Sequence, residues 1–363
     1  MSTYYVPAFQ IEVNGSSLQA DISKNIERVQ VVSMPDALDT FSFTLVNALP
    51  KMRWTHSDDA QLFFPGSSVK ISMGYVDDMH EMMEGEITKL SPSFPASGTP
   101  TIEIEGHSLM HRLRGENKTR TFQDTTPSQI AMKIGQEAGL EVQADDVNLQ
   151  QEYVIQPNQS DLEFLKSLAK SVHCEVLVQK KSLIFRKAKE ADSESFTLIW
   201  YGPQESFAPA PDTMPLKSFT PQMNCLAPAT DVHYRAYDMK QKKAFVCKAS
   251  DANQSSLMGG TQSAGQLAKN AFQRARTVVQ VTTPFDTQDE GDHHAKSTYN
   301  AKAMELVGGN AETIGIPKLW SGQVVELKGL GPIFSGRYYV HEATHVIDNN
   351  GYHTSFSVKR NAK

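Results

Sequence analysis

The residues whose types and spacing most openly suggest chemistry are His341, Glu342 and His345, which together spell HExxH. In zinc hydrolases such a pair of histidines lies on a helix, where residues four apart stack on one face and converge on a single ion while the glutamate serves as general base. The flanks here argue for a strand instead. Gly336-Arg-Tyr-Tyr-Val340 precedes the motif, and Val346-Ile-Asp348 leads into the turn residues Asn349-Asn350-Gly351, as in a β-hairpin. Along a strand, four residues at roughly 3.3 Å each would put the two histidines about 13 Å apart, too far to share one zinc. No further glutamate follows at ligand spacing, and Gly351 and His353 miss the longer metzincin pattern. A zinc-dependent hydrolase using His341, Glu342 and His345 is therefore the disfavoured alternative. The expectation is a non-enzyme with no catalytic, cofactor-binding or metal-binding residues.

The other ligand-capable cluster, Asp289-Glu-Gly-Asp-His293-His294, falls where a helix should begin. There acidic residues are explained by favourable interaction with the helix dipole. No GxSxG, P-loop or strand-borne GxGxxG is present, and Cys174, Cys225 and Cys247 are too scattered to suggest a metal site; they read as reduced structural thiols. Net charge is −6, with 35 basic and 41 acidic residues interleaved along the chain, which argues against specific nucleic-acid binding. No apolar run is long enough to span a bilayer, and the first residues, Met1-Ser-Thr-Tyr-Tyr-Val-Pro7, lack the basic and apolar regions of a signal peptide. The expectation is a protein made in the cytoplasm.

The elements around these residues fall into two β-rich stretches separated by helical ones. Gly66-Ser-Ser-Val69-Lys-Ile71, Gly85-Glu-Ile87 and Thr101-Ile102-Glu-Ile104 near the start are answered by Gly322-Gln-Val-Val325-Glu-Leu327, Gly336-Arg-Tyr338-Tyr339-Val340 and Thr354-Ser-Phe356-Ser-Val358 at the end. Both read as glycine turns followed by alternating apolar residues, the pattern of short antiparallel strands. Between them, Thr126-Pro127 and Ser160-Asp-Leu-Glu163 open amphipathic helices. The segments Asp231–Asp238 and Lys243–Cys247 predict a hairpin across the turn Met239–Lys243, and helical spacing returns from Thr261 to about Leu306. The fold class expected is α+β, mainly β, with two tube-like antiparallel β-barrels carrying α/β and helical insertions. The boundaries read as a first barrel over 1–107, an α/β module over 108–190, the first part of a second barrel over 191–247, a helical insertion over 248–316, and completion of the second barrel over 317–363.

The order of these pieces resembles the late control D protein of contractile phages and the hub portion of VgrG proteins. The resemblance rests on Pro7-Ala-Phe9 with Val13-Asn-Gly15, Gly66-Ser-Ser-Val69 with Gly74-Tyr75, and Gly85 with Gly106-His-Ser108. It continues through Asn158-Gln-Ser-Asp161-Leu-Glu-Phe164, Val232-His-Tyr-Arg-Ala-Tyr-Asp238 and Gly315-Ile-Pro-Lys-Leu319. Ala236 departs from it, standing where such proteins often carry glycine. The resemblance implies a structural baseplate hub of a contractile tail or injection system. Such a hub is a homotrimeric ring with pseudo-sixfold symmetry, whose two barrels per chain match the hexameric inner tube protein to a trimeric spike. It also implies contacts with other baseplate proteins and assembly into a phage tail or injection particle. VgrG proteins continue into a spike, whereas this sequence ends at Lys363, so a separate spike protein is expected. If the barrels line a channel, acidic residues on its wall would ease the passage of DNA.

Overall fold

A computed structural model of the chain describes residues 6–363 apart from 36, 48–52, 57, 203–212, 239–241, 281–284 and 286. The first β-rich stretch forms β1 (Pro7–Val13), β2 (Ile26–Ser33), β3 (Thr40–Val46), β4 (Ser68–Tyr75), β5 (Asp78–Ser93) and β6 (Thr101–Ser108), in the spatial order β1-β4-β5-β6-β3-β2. Every neighbouring pair is antiparallel. Alternation does the work expected of it: Phe41, Phe43 and Leu45 of β3 point into the core with Val29, Val31, Ile71, Ile102 and Ile104, while Ser42 and Thr44 point away. Gly106 is required for this packing, because a Cβ there would fall inside the Phe41 ring.

The α/β module follows as β7 (Lys118–Thr125), α1 (Pro127–Glu137), β8 (Glu141–Ala144), β9 (Gln151–Gln159), α2 (Asp161–Ser171), β10 (Cys174–Gln179) and β11 (Ser182–Lys187). Both helices begin as the sequence indicates, with Thr126 and Ser160 in complete capping boxes with Gln129 and Glu163. A knot of charge ties the module together. Asp161 accepts from Lys118 Nζ at 2.7 Å, Arg120 Nη2 at 2.7 Å and Gln156 Nε2 at 3.0 Å. Burial opposes ionisation of Asp161, but the Lys118 and Gln156 hydrogen bonds and the nearby Arg120 charge outweigh it and hold the carboxyl below its ordinary value. Its stabilisation is present above the unfolded carboxyl value and lost as pH falls through the depressed folded one. Asp161→Ala is expected to lower stability by about 2–3 kcal/mol at neutral pH, because Lys118 loses its counter-charge in a largely buried site and Arg120 keeps only its pair with Glu137; urea titration checks this.

The rest of the chain forms β12 (Thr197–Trp200), β13 (Thr213–Met223), β14 (Asp231–Asp238), β15 (Lys243–Ser250), α3 (Ala264–Phe272), β16 (Thr277–Gln280), α4 (Gln288–Ala303), β17 (Val307–Ile314), β18 (Val324–Lys328), β19 (Gly336–Asp348) and β20 (Gly351–Arg360). The order β12-β18-β19-β20-β17-β13 repeats that of the first half strand for strand, and β13 pairs with β12 to close a six-stranded barrel. The fold is mainly β with few helices, as the sequence indicates.

Three details differ from the sequence-based expectation. β12 runs parallel to both of its neighbours, so the second barrel is not wholly antiparallel. The hairpin β14–β15, placed by sequence in the second barrel (191–247), forms a separate three-stranded sheet with β16 that packs on α4. Its turn residues 239–241 lie outside the described residues. Conversely β17, assigned to the insertion (248–316), is a barrel strand. The physical reason is common to the last two: alternation marks a strand without naming its sheet, and Val232, Tyr234 and Cys247 find their apolar cover in Tyr299 and Ala295 of α4. The insertion thus enters between β13 and β17, where the first half has only the short connection from β2 to β3.

The first barrel is not closed by its own strands. β2 pairs instead with the C-terminal half of β19, with Ala343–Ile347 opposite Val29–Ser33. This welds the two halves into one sheet, and Ile347 and Tyr352 enter the first core. At the weld the Tyr75 and Tyr352 ring centroids are 5.7 Å apart, and Tyr75 Oη donates to the Gly315 carbonyl at 2.8 Å.

Candidate functional site

The HExxH lies on β19, as its flanks indicate, and a bulge falls inside the motif. Val340 pairs with Val358 and Glu342 with Ser357, leaving His341 as the extra residue. An extra residue inverts the alternation beyond it. Before the bulge Tyr338 and Val340 face the core; after it Ala343 and Ile347 do. His341 and His345, which would share a face in a regular strand, are therefore on opposite faces.

His345 is fully buried between the two barrels. Its Nε2–H donates to the Leu319 carbonyl at 2.8 Å, and Nδ1 accepts from Tyr352 Oη at 3.0 Å and Thr354 Oγ1 at 3.1 Å. Burial favours the neutral ring and pushes the pKa down to about 4, which leaves Nδ1 as the acceptor. His341 is half-buried, with its pKa lowered by burial and by Lys359. Among the described residues no three His, Cys, Asp or Glu side chains are grouped as a metal site.

The acidic cluster at 289–294 starts α4, capped by Thr287, with Asp289 and Glu290 in the first turn. His294 packs on Phe285 at 4.8 Å, and burial pushes its pKa down to about 4. The three cysteines are free thiols, and burial pushes Cys247 up to about 11.

The extended surface with functional character is the outward face of the welded sheet. Its backbone register runs unbroken through β13, β17, β20, β19, β2, β3, β6 and β5, as Ser218–Glu312–Ser355–Thr344–Val32–Thr40–His107–Glu86. The matching inward row carries Leu216, Thr313, Thr354, His345, Val31, Phe41, Gly106 and Ile87. Each half contributes the same four strands to this face, and each has the same bulge, at Thr88 in β5 and His341 in β19.

The face is concave in both halves. One hollow of about 620 Å³ is lined by Arg28, Ser42, Thr44, Glu103 and Glu105, and another of about 530 Å³ by Thr220, Gln222, Asn310, Ser357 and Lys359. Hydroxyls, amides and carboxylates dominate. Glu105 accepts from Lys89 at 2.6 Å and Glu86 from His111 at 2.6 Å, while Glu312 lies 3.9 Å from Lys217. Sequence reasoning found the strands but missed the shared face. The available signal was the Ser/Thr content of the outward positions, such as Ser42, Thr44, Ser355 and Ser357.

Among the described residues no helix is long and apolar enough to cross a membrane. A family model described as the Alg8 N-terminal domain matches residues 4–349. Among curated proteins none matches the chain. Solved structures similar to it include the 43 kDa tail protein of prophage MuSo2 from Shewanella oneidensis, with 14% identity, 98% of each chain covered and a TM-score of 0.69. A tail protein from Neisseria meningitidis MC58 has 14% identity, covers 98% of this chain and 97% of its own, and gives a TM-score of 0.70. The E. coli c3393 protein, a component of the type VI secretion system, has 11% identity, covers 97% of this chain and 77% of its own, and gives a TM-score of 0.59. The fold is that of these tail and secretion-system proteins.

Proposed function

The chain belongs to the Alg8 N-terminal domain family, and from its fold we propose that it is a structural hub in the baseplate of a contractile tail or injection particle. Three copies form a ring with pseudo-sixfold symmetry, joining a hexameric inner tube to a trimeric spike. The observation that carries this reading is the outward face: two halves of matching strand order each supply the same four strands to one concave polar sheet. A chain of this kind repeats its interface twice, so a threefold assembly presents six near-equivalent surfaces to a sixfold partner. The concave polar face lines the lumen.

Two features of the face support this role. It is rich in serine, threonine and glutamine, and its carboxylates Glu86, Glu103, Glu105, Glu312 and Glu342 outnumber the cations Arg28, Lys89, Lys217 and Lys359 on the same face. Such a wall offers passing polyanions no extended basic track. Light scattering of the purified chain, alone and with its spike, tests the assembly. The expected mass is that of a trimer, at least with the spike present, and a monomer or dimer in both samples would overturn the reading.

A further inference from the structure

A second cleft, of about 360 Å³, opens where three units meet: α2 and β10 of the α/β module, α4 of the insertion, and β19–β20 of the barrel. Its wall holds Lys166, Lys170, His341 and Lys359 together with Glu175 and Glu190. The carboxylates are already engaged, Glu175 by Arg186 at 3.2 Å and Glu190 by His173 at 3.2 Å and Ser255 at 2.7 Å. None of the three lysines has an ion-pair partner among the described residues. The cleft disfavours positive charge as it stands: burial lowers the Lys359 pKa, and burial together with the Lys359 charge lowers that of His341. A bound anion would relieve both.

We propose that this cleft is a docking site for an acidic segment of another polypeptide, whose carboxylates pair with Lys166, Lys170 and Lys359 while His341 hydrogen-bonds beside them. A peptide fits better than a nucleic acid. The positive charge is confined to one pocket with Glu175 and Glu190 in its wall and Glu305 near Lys359, whereas a phosphate backbone needs a basic track. Because its walls come from three units, an occupied cleft holds the module and insertion against the barrel. The proposal does not depend on the ring reading, since it concerns the single chain.

The test is fluorescence anisotropy of fluorescein-labelled hexaglutamate with the full-length chain at low salt. Saturable binding is expected, weakened about tenfold or more by Lys170→Glu with Lys359→Glu, and unchanged by Lys24→Glu, an exposed lysine between β1 and β2 that does not line the cleft. Should the Lys359 change disturb the barrel, Lys166→Gln with Lys170→Gln on α2 is expected to weaken binding in the same direction. No saturable binding, equal loss in Lys24→Glu, or tighter binding of a duplex oligonucleotide would overturn the proposal. Full displacement by millimolar inorganic phosphate would overturn the peptide assignment in favour of a small anion.

Discussion

His345→Ala is expected to destabilise the protein by roughly 3 kcal/mol or more, measured by urea unfolding, while His341→Ala four residues earlier should cost less than about 1 kcal/mol. The difference follows from position. His345 sits in the inward row at the weld and satisfies the Leu319 carbonyl and the hydroxyls of Tyr352 and Thr354; alanine leaves a cavity and a buried carbonyl without its donor. His341 is the bulged residue on the opposite face, half-buried at the edge of a cleft. If the pair instead bound zinc, both variants would lose metal and both would suffer together, so similar losses would sink the structural account. The same residue sets a pH dependence. The folded-state pKa of His345 is about 4, below an unfolded value of about 6.5, so the unfolded chain binds more protons between them. Stability is full above the unfolded value and falls as pH drops from about 6.5 towards 4, by a few kcal/mol at most. His294, also near 4, adds to the same slope. His345→Gln should therefore flatten the decline without abolishing it.

Much of this architecture could be read from residue order, and the parts that could not share a cause. Alternation in Phe41–Leu45 and Gly351–Arg360 identifies strands because the side-chain period is a property of one segment. Thr126 and Ser160 identify helix starts because a cap is satisfied within three residues. The strand setting of His341–His345 was legible for the same reason, since Gly336 and Asn349-Asn350-Gly351 bracket it locally. The partner of a strand is different, because it depends on which distant surface offers the better cover. β14 and β15 alternate as barrel strands would, yet α4 supplies Ala295 and Tyr299 for their apolar face. The parallel setting of β12 and the bulge at His341 likewise arise from pairing across more than a hundred residues or across a hairpin, and neither leaves a mark in the four or five residues concerned. The polar face was hidden for that reason: Ser42, Glu105, Ser355 and Thr344 are unremarkable singly and become a surface only through register.

Gly315→Val is expected to have the second large effect, separating the two barrels. A Cβ on Gly315 would fall inside the ring of Tyr352, and that ring cannot retreat freely. Its hydroxyl bonds His345 at 3.0 Å, its face meets Tyr75, and its backbone carbonyl accepts from Gly315 N at 2.9 Å. Valine therefore displaces Tyr352, breaks the His345 network and loosens the pairing of β2 with β19, at a cost of several kcal/mol. Since that pairing fixes how one half sits against the other, and the proposed ring with six near-equivalent surfaces needs it fixed, the variant should also lose the proposed trimer even where each half stays folded. Calorimetry should then resolve two transitions where the parent shows one. Gly351→Ala is the control: its φ of +102° strains an L-residue, but a Cβ there meets nothing within 4 Å, so the penalty is the backbone's alone, about 1 kcal/mol. A double-mutant cycle of Gly315→Val with Tyr352→Ala identifies the cause. If the clash with Tyr352 is the mechanism, the two costs should fall short of additive by about 1 kcal/mol or more, whereas full additivity would place the damage elsewhere.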